Sequence, residues 1–179
     1  MKKIIAIIAG EPNSISSEII FKIFKFKNKF RHLPYVIIGS LKLLEMQRKK
    51  LKFNFKLKEV NDKFSKQDLI GNELPIINVN YNQKKPFQQI TNLSNKYIHK
   101  CFDKAIYLVR KKKILGIINC PIFKETLLKK KFNGITEYLA KKIKIKNEIV
   151  MLIYNHSFSV SPLTTHIALS DVSKNIKKN

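Results

Sequence analysis

The sequence predicts an α/β fold built on a mostly parallel sheet flanked by helices. Two observations carry that prediction. The chain opens on a nearly continuous Ile-rich run, Lys3 to Ala9 (KIIAIIA), and a second such run, ILGIIN, lies at Ile114 to Asn119. Uninterrupted β-branched runs are the pattern of strands covered on both faces, as parallel strands are. Between them, runs of strand type alternate with helical spacings, the order expected of βαβ units.

Each element follows in turn. After the turn Gly10-Glu11-Pro12-Asn13-Ser14, residues Ile15, Ile19, Ile20, Ile23 and Phe24 recur at helical spacing and predict a helix over Ser16 to Lys27. Pro34 introduces a strand at Tyr35 to Ile38, closed by Gly39-Ser40. Leu41, Leu43, Leu44, Met46 and Leu51 predict a second helix, and Phe53, Phe55 and Leu57 alternate as a third strand. A strand at Leu74 to Val79 interrupts an otherwise polar stretch. The longest helix is expected at Gln89 to Lys111, with Ile90, Leu93, Tyr97, Cys101, Ala105, Leu108 and Val109 on its apolar face. Beyond the buried strand at 114–119 come helices near Phe123 to Lys130 and Thr136 to Ile143. Strands are expected at Ile149 to Tyr154 and Leu163 to Ala168, then a short basic helix with Asp171 as its N-cap. No repeat or low-complexity linker divides the chain, so residues 1–179 are expected to form a single α/β unit.

Composition narrows the function classes. The 179 residues are 44% hydrophobic and 27% charged, too apolar for a disordered chain and enough for one core. The net charge of +24 suggests polyanions, yet only Arg31, Arg48 and Arg110 among the 36 basic residues are arginine. Arginine is the usual bidentate reader of phosphate and guanine. Lysines spread through nearly every segment imply compositional drift and non-specific polyanion affinity, with no specific nucleic-acid target. Cys101 and Cys120 lie in apolar surroundings, without metal spacing or a secretory signal. The run from Met1 to Ala9 is too short to span a bilayer and lacks a cleavage pattern, so a cytoplasmic protein without membrane contact is expected.

Open parallel sheets bind ligands beyond the carboxyl ends of their strands. The first such loop, Gly10 to Glu18, can seat an anion at a helix N-terminus or serve only as turn and cap. With Gly10 its single glycine, it is not a phosphate-binding glycine loop. In the next, Asn119 to Glu125, Lys124 is either a phosphate contact or a solvated lysine, and Cys120 has no neighbouring His to activate it. His166 in Thr164-Thr165-His166 is a candidate metal ligand or general base, or a structural histidine. His32, His99 and His156 carry less support.

Five blocks in order resemble one family. IIAIIAGEPNSISSEII, YVIIGSLKLL, GIINCPIFKETL, FNGITEYLA and MLIYNHSFSVSPLTTHIALSDV are similar to the N-terminal half of 4-hydroxythreonine-4-phosphate dehydrogenases, across residues 4 to 172. The resemblance implies the first lobe of an isocitrate/isopropylmalate-dehydrogenase-like fold. It implies NAD-dependent oxidation of 4-phosphooxy-L-threonine, a phosphorylated hydroxy-amino acid, in pyridoxal phosphate (vitamin B6) biosynthesis. It further implies a homodimer whose divalent metal (zinc, magnesium or cobalt) is held by three histidines, the first matching His166. The family's substrate-binding His-Thr pair falls on Ile135-Thr136; Thr136 keeps a hydrogen-bond donor and Ile135 does not. Glu11, Ser14 and Ser16 stand where the family usually has an Asp and glycines. The chain stops at Asn179, before the family's second half, which brings the other metal histidines and most of the NAD site. The expectation is therefore a truncated dehydrogenase. The alternatives are a non-catalytic remnant, one piece of a split enzyme completed by a second-half polypeptide, and a basic nucleic-acid-binding module.

Overall fold

The computed structural model describes residues 4–26, 33–128, 131–132, 134–144, 149–165 and 167–176. They belong to two compact units, Met1–Leu127 and Leu128–Asn179, each taken by itself below.

The first unit is built on a five-stranded, wholly parallel sheet. Its strands are β1 (Ile5–Ile8), β2 (Tyr35–Gly39), β3 (Lys56–Glu59), β4 (Glu73–Asn78) and β5 (Gly116–Asn119), in the order β3-β4-β2-β1-β5. The α/β expectation therefore holds. Register places Glu59, Ile76, Ile37, Ile7 and Ile118 in one row across the sheet. Helices α1 (Ser16–Lys25) and α2 (Leu41–Lys50) pack on each other, and Ile20, Phe21, Phe24 and Leu44 join Ile7, Ile37 and Ile76 in one core cluster. Each such side chain contributes about 1.5–3 kcal/mol by leaving water. Helix α3 (Asn95–Arg110) packs on β1 and β2 and buries Ile98, Cys101, Phe102, Ala105 and Leu108.

Three expectations in this unit are corrected. The third strand begins at Lys56, past the phenylalanines thought to start it. Phe53 and Phe55 instead form an aromatic cluster with Phe21 and Phe24, ring centroids 4.7–6.0 Å apart. Helix α3 starts at Asn95 and not at Gln89, because Thr91 accepts from Leu93 N and holds a 3-10 turn at Asn92–Ser94. Ile90 and Leu93 are thus exposed. The run at 114–119 is also not a buried central strand. β5 is an edge, with Ile118 and Asn119 exposed.

The short α4 (Lys124–Leu128) leads out of this unit. The second unit holds α5 (Ile135–Ile143), an antiparallel hairpin of β6 (Ile153–Tyr154) and β7 (Ser159–Val160), and α6 (Leu169–Asn175). The strand expected at Leu163 to Ala168 is absent among the described residues; β7 lies earlier. Asn155 sets the hairpin, its side chain accepting from Ser157 N while its N–H donates to Phe158 O. The N-cap of α6 is Ala168, not Asp171, whose carbonyl and carboxylate accept from Asn175 and Lys174 within the helix.

Candidate functional site

The loops leaving the carboxyl ends of β1, β2, β4 and β5 converge in the first unit. Gly10 has φ +74, and a side chain there would bring Cβ to 2.9 Å from Cys120 O. Glycine is required there because its φ is left-handed and the β5 loop lies against it. Glu11 N donates to Pro121 O at 2.9 Å and Ser16 Oγ donates to the same oxygen at 3.2 Å. Two of the sequence-predicted loops, 10–18 and 119–125, are therefore fastened together.

The Glu11 carboxylate points inward and is almost wholly buried. Oε1 accepts from Asn13 N at 3.2 Å and Oε2 from Ser94 Oγ at 2.7 Å. Above it lies the chain's own segment 81–91. Asn13 Oδ1 accepts from Gln83 Nε2 and Gln88 N, while Gln47 Nε2 of α2 donates to Pro12 O and Pro86 O. Tyr97 OH accepts from Ser40 N, and its ring stacks on Tyr81 at 4.8 Å. Burial first, and the Glu11 charge second, push the Tyr81 hydroxyl above its ordinary value. The space left among Gly10, Glu11, Ser17, Gln47 and Tyr97 is about 10 Å3, room for no more than a water. The first turn is thus a closed polar joint and not an open anion seat, and it does not fit a dinucleotide pyrophosphate.

Sequence reasoning missed Ser94, Gln47 and Gln83, while Asn13 lies in the loop 10–18 that it singled out. Gln47 left a signal: it sits three residues after Leu44 on the apolar face of α2, where a polar residue needs an internal partner. Gln83 left none.

An open groove of about 440 Å3 lies beyond the carboxyl ends of β3 and β4, lined by Glu59, Asn61, Asp62, Lys63, Asn78 and Lys104. Lys104 Nζ stands 2.9 Å from Asp62 Oδ2, and Asn78 Oδ1 accepts from Leu41 N at the start of α2. This is the ligand end of an open parallel sheet, in the size range of small-molecule sites. A larger groove of about 610 Å3, lined by Phe24, Lys25, Phe55 and Lys56, lies at the opposite, amino end.

The remaining candidates are placed as follows. Lys124 is exposed at the start of α4. Cys120 is buried, which pushes its thiol up to about 11 and leaves it unsuited to nucleophilic work. In the second unit, Thr136 is exposed in the first turn of α5, beside half-buried Ile135. His99 is half-buried on α3, and His156 is exposed in the hairpin, 5.8 Å from the Tyr154 ring. His166 and His32 lie outside the described residues. Among the described residues no three His, Cys, Asp or Glu side chains gather as metal ligands, and no helix is long and apolar enough to cross a membrane.

A wholly parallel open sheet with polar loops converging at its carboxyl ends defines an α/β protein of the ligand-binding open-sheet class. The chain belongs to the family of the pyridoxal phosphate biosynthetic protein PdxA, whose profile matches residues 31–179. It is 32% identical over 176 residues to the 4-hydroxythreonine-4-phosphate dehydrogenase of Sulfurihydrogenibium sp. (strain YO3AOP1), covering 97% of this chain and 53% of that protein. It is 34% identical to the enzyme of the same name from Aquifex aeolicus (strain VF5), covering 99% of this chain and 54% of that protein. The crystal structure of a 4-hydroxythreonine-4-phosphate dehydrogenase from Burkholderia phymatum shares the fold, with TM-score 0.84 at 22% identity over 99% of this chain and 54% of that one. The chain thus spans about half the length of the curated relatives it matches, as expected for the N-terminal half of this oxidoreductase family of pyridoxine biosynthesis.

Proposed function

We propose that this chain is the first half of an NAD-dependent 4-hydroxythreonine-4-phosphate dehydrogenase, acting on 4-phosphooxy-L-threonine once the family's second half completes the site. One observation carries the reading: near-complete coverage of this chain against about half of relatives bearing that name. Thr136 is assigned a hydrogen bond to the substrate, and its exposure in the first turn of α5 supports that. His166 is assigned as this chain's one ligand to a zinc, magnesium or cobalt ion. The described residues do not by themselves fit a three-ligand metal, and a homodimer would only repeat His166. We place the protein in the cytoplasm, as the N-terminal portion of one dehydrogenase over 1–179, with no specific nucleic-acid partner.

A non-catalytic remnant is favoured by Ile135, which cannot make the hydrogen bond expected of the family's histidine, a loss of roughly 1.5–3 kcal/mol if the partner is charged. The experiment follows NADH formation by the purified chain with substrate, NAD and zinc or magnesium. It is run alone and with the second half of the Aquifex aeolicus relative. Turnover is expected only in the mixture and is expected to vanish in His166→Ala. A silent mixture supports the remnant. Metal-dependent turnover by the chain alone, lost in His166→Ala, overturns the half-enzyme reading.

A further inference from the structure

The carboxyl end of the sheet is closed over β1, where Glu11 N holds Pro121 O and residues Gln83, Pro86 and Gln88 fill the space. It stays open over β3 and β4. The groove of about 440 Å3 there has buried Val60 and Ile77 as its apolar lining and charged residues around them. Glu59 and Asp62 stand against Lys63 and Lys104, so the groove's charges sum to zero in a chain at +24. Asp62 and Lys104 satisfy each other, Lys104 Nζ donating to both carboxylate oxygens at 2.9 and 3.2 Å. The side chains of Glu59 and Lys63 pair with nothing among the described residues, each other included, whereas Glu18, Glu45, Asp68 and Asp171 each hold a lysine or arginine.

Two opposite charges left open on one apolar-lined groove select their ligand by charge. An anion alone would face the Glu59 carboxylate, and a cation alone would face the Lys63 ammonium. A molecule carrying both charges on a small aliphatic body offends neither, and the groove is in the size range of small-molecule sites. We infer that it binds a free amino acid with a short aliphatic side chain. The ligand's ammonium meets Glu59, its carboxylate meets Lys63, and its side chain lies on Val60 and Ile77. The Asp62–Lys104 pair stays intact as one wall.

The test titrates L-valine into the isotopically labelled full chain and follows its amide resonances. Isobutylamine and isovalerate, which keep the aliphatic body and one charge each, are titrated in parallel. Saturable shifts are expected at 59–63, 77–78 and 104, with a dissociation constant of about 1 mM for so small a ligand. Glu59→Gln and Lys63→Gln should each weaken L-valine about tenfold, the loss of one charge-assisted contact, and Glu59→Asp should weaken it less. Glu73→Gln, an exposed and equally unpaired carboxylate at the amino end of β4, should change nothing. Four outcomes overturn the inference: no saturation by L-valine, saturation with shifts confined to other residues, equal binding of either singly charged analogue, or undiminished binding by Glu59→Gln. No step of the test needs turnover, so it stands or falls apart from the half-enzyme reading.

Discussion

Ser94 Oγ donates to Glu11 Oε2 at 2.7 Å, tying the turn after β1 to the residue before α3 across 83 positions of sequence. Both residues are buried, so the bond holds a carboxylate where water does not reach it. Such a bond fixes where α3 begins and, through Glu11 N and Pro121 O, where the β5 loop lies.

Ser94→Ala should therefore destabilise the chain by about 1.5–3 kcal/mol, the usual cost of removing a donor from a buried charged group. Urea unfolding checks it: the midpoint should fall with the slope unchanged. A loss below about 0.5 kcal/mol, the range of an ordinary surface substitution, would show that the bond is not made in solution.

Ser17 behaves in the opposite way. Its hydroxyl is buried in the first turn of α1 with no hydrogen-bond partner among the described residues. Ser17→Ala removes an unpaired polar group and substitutes a better helix former, so a gain of about 0.5–1 kcal/mol is expected. Thermal unfolding of the variant reads it, and a lower melting temperature would mean that the hydroxyl is in fact satisfied.

The helix ends show how composition has been accommodated. Lys52 and Lys112 adopt φ of 57° and 54°, in the left-handed region normally given to glycine after a helix. The backbone bonds of that motif are intact: Lys52 N to Lys49 O and Phe53 N to Arg48 O after α2, Lys112 N to Val109 O and Lys113 N to Leu108 O after α3. Each lysine carries the steric cost of a Cβ in that region, about 1–2 kcal/mol. Lys52→Gly and Lys112→Gly should each raise stability by about 1 kcal/mol. Equal or lower melting temperatures in both variants would refute the accommodation.

The first half of the sheet was legible because β1, α1, β2 and α2 combine continuous apolar runs with clean helical spacing. The edge position of β5 was not, since Ile114 to Asn119 reads like a central strand and nothing local tells how many neighbours a strand has. Helix α3 was overextended because Ile90 and Leu93 keep its period, while the Thr91 cap that holds Asn92–Ser94 in a 3-10 turn is a single polar contact with no periodic signal. Phe53 and Phe55 alternated like a strand, yet their partners are the rings of Phe21 and Phe24. Of the candidate site, the convergence of loops 10–18 and 119–125 was foreseeable from the carboxyl-end rule. The filling of that space by Gln83, Pro86 and Gln88 was not, because polar loop residues carry no periodic signal.

Alkaline pH should unfold the chain earlier than an unburied set of thiols and phenols would. Burial pushes the Cys101 thiol from 9.0 up to about 12 and the Tyr35 hydroxyl from 10.0 up to about 12, and the latter has no hydrogen-bond partner among the described residues. A raised folded value means the native state holds its proton more tightly than the unfolded chain. The associated stability is complete below about pH 9 and is lost as pH climbs toward about 12. Unfolding free energy should thus be insensitive to these groups near neutrality and fall steeply above pH 9. Cys101→Ala should flatten part of that slope, whatever its effect at neutral pH. The same burial should keep Cys101 and Cys120 unreactive toward a thiol reagent at pH 8 until denaturant is added. Rapid labelling of either cysteine in the native chain, or a pH profile that Cys101→Ala leaves unaltered, would mean that these groups are not held as deep in the core as their packing places them.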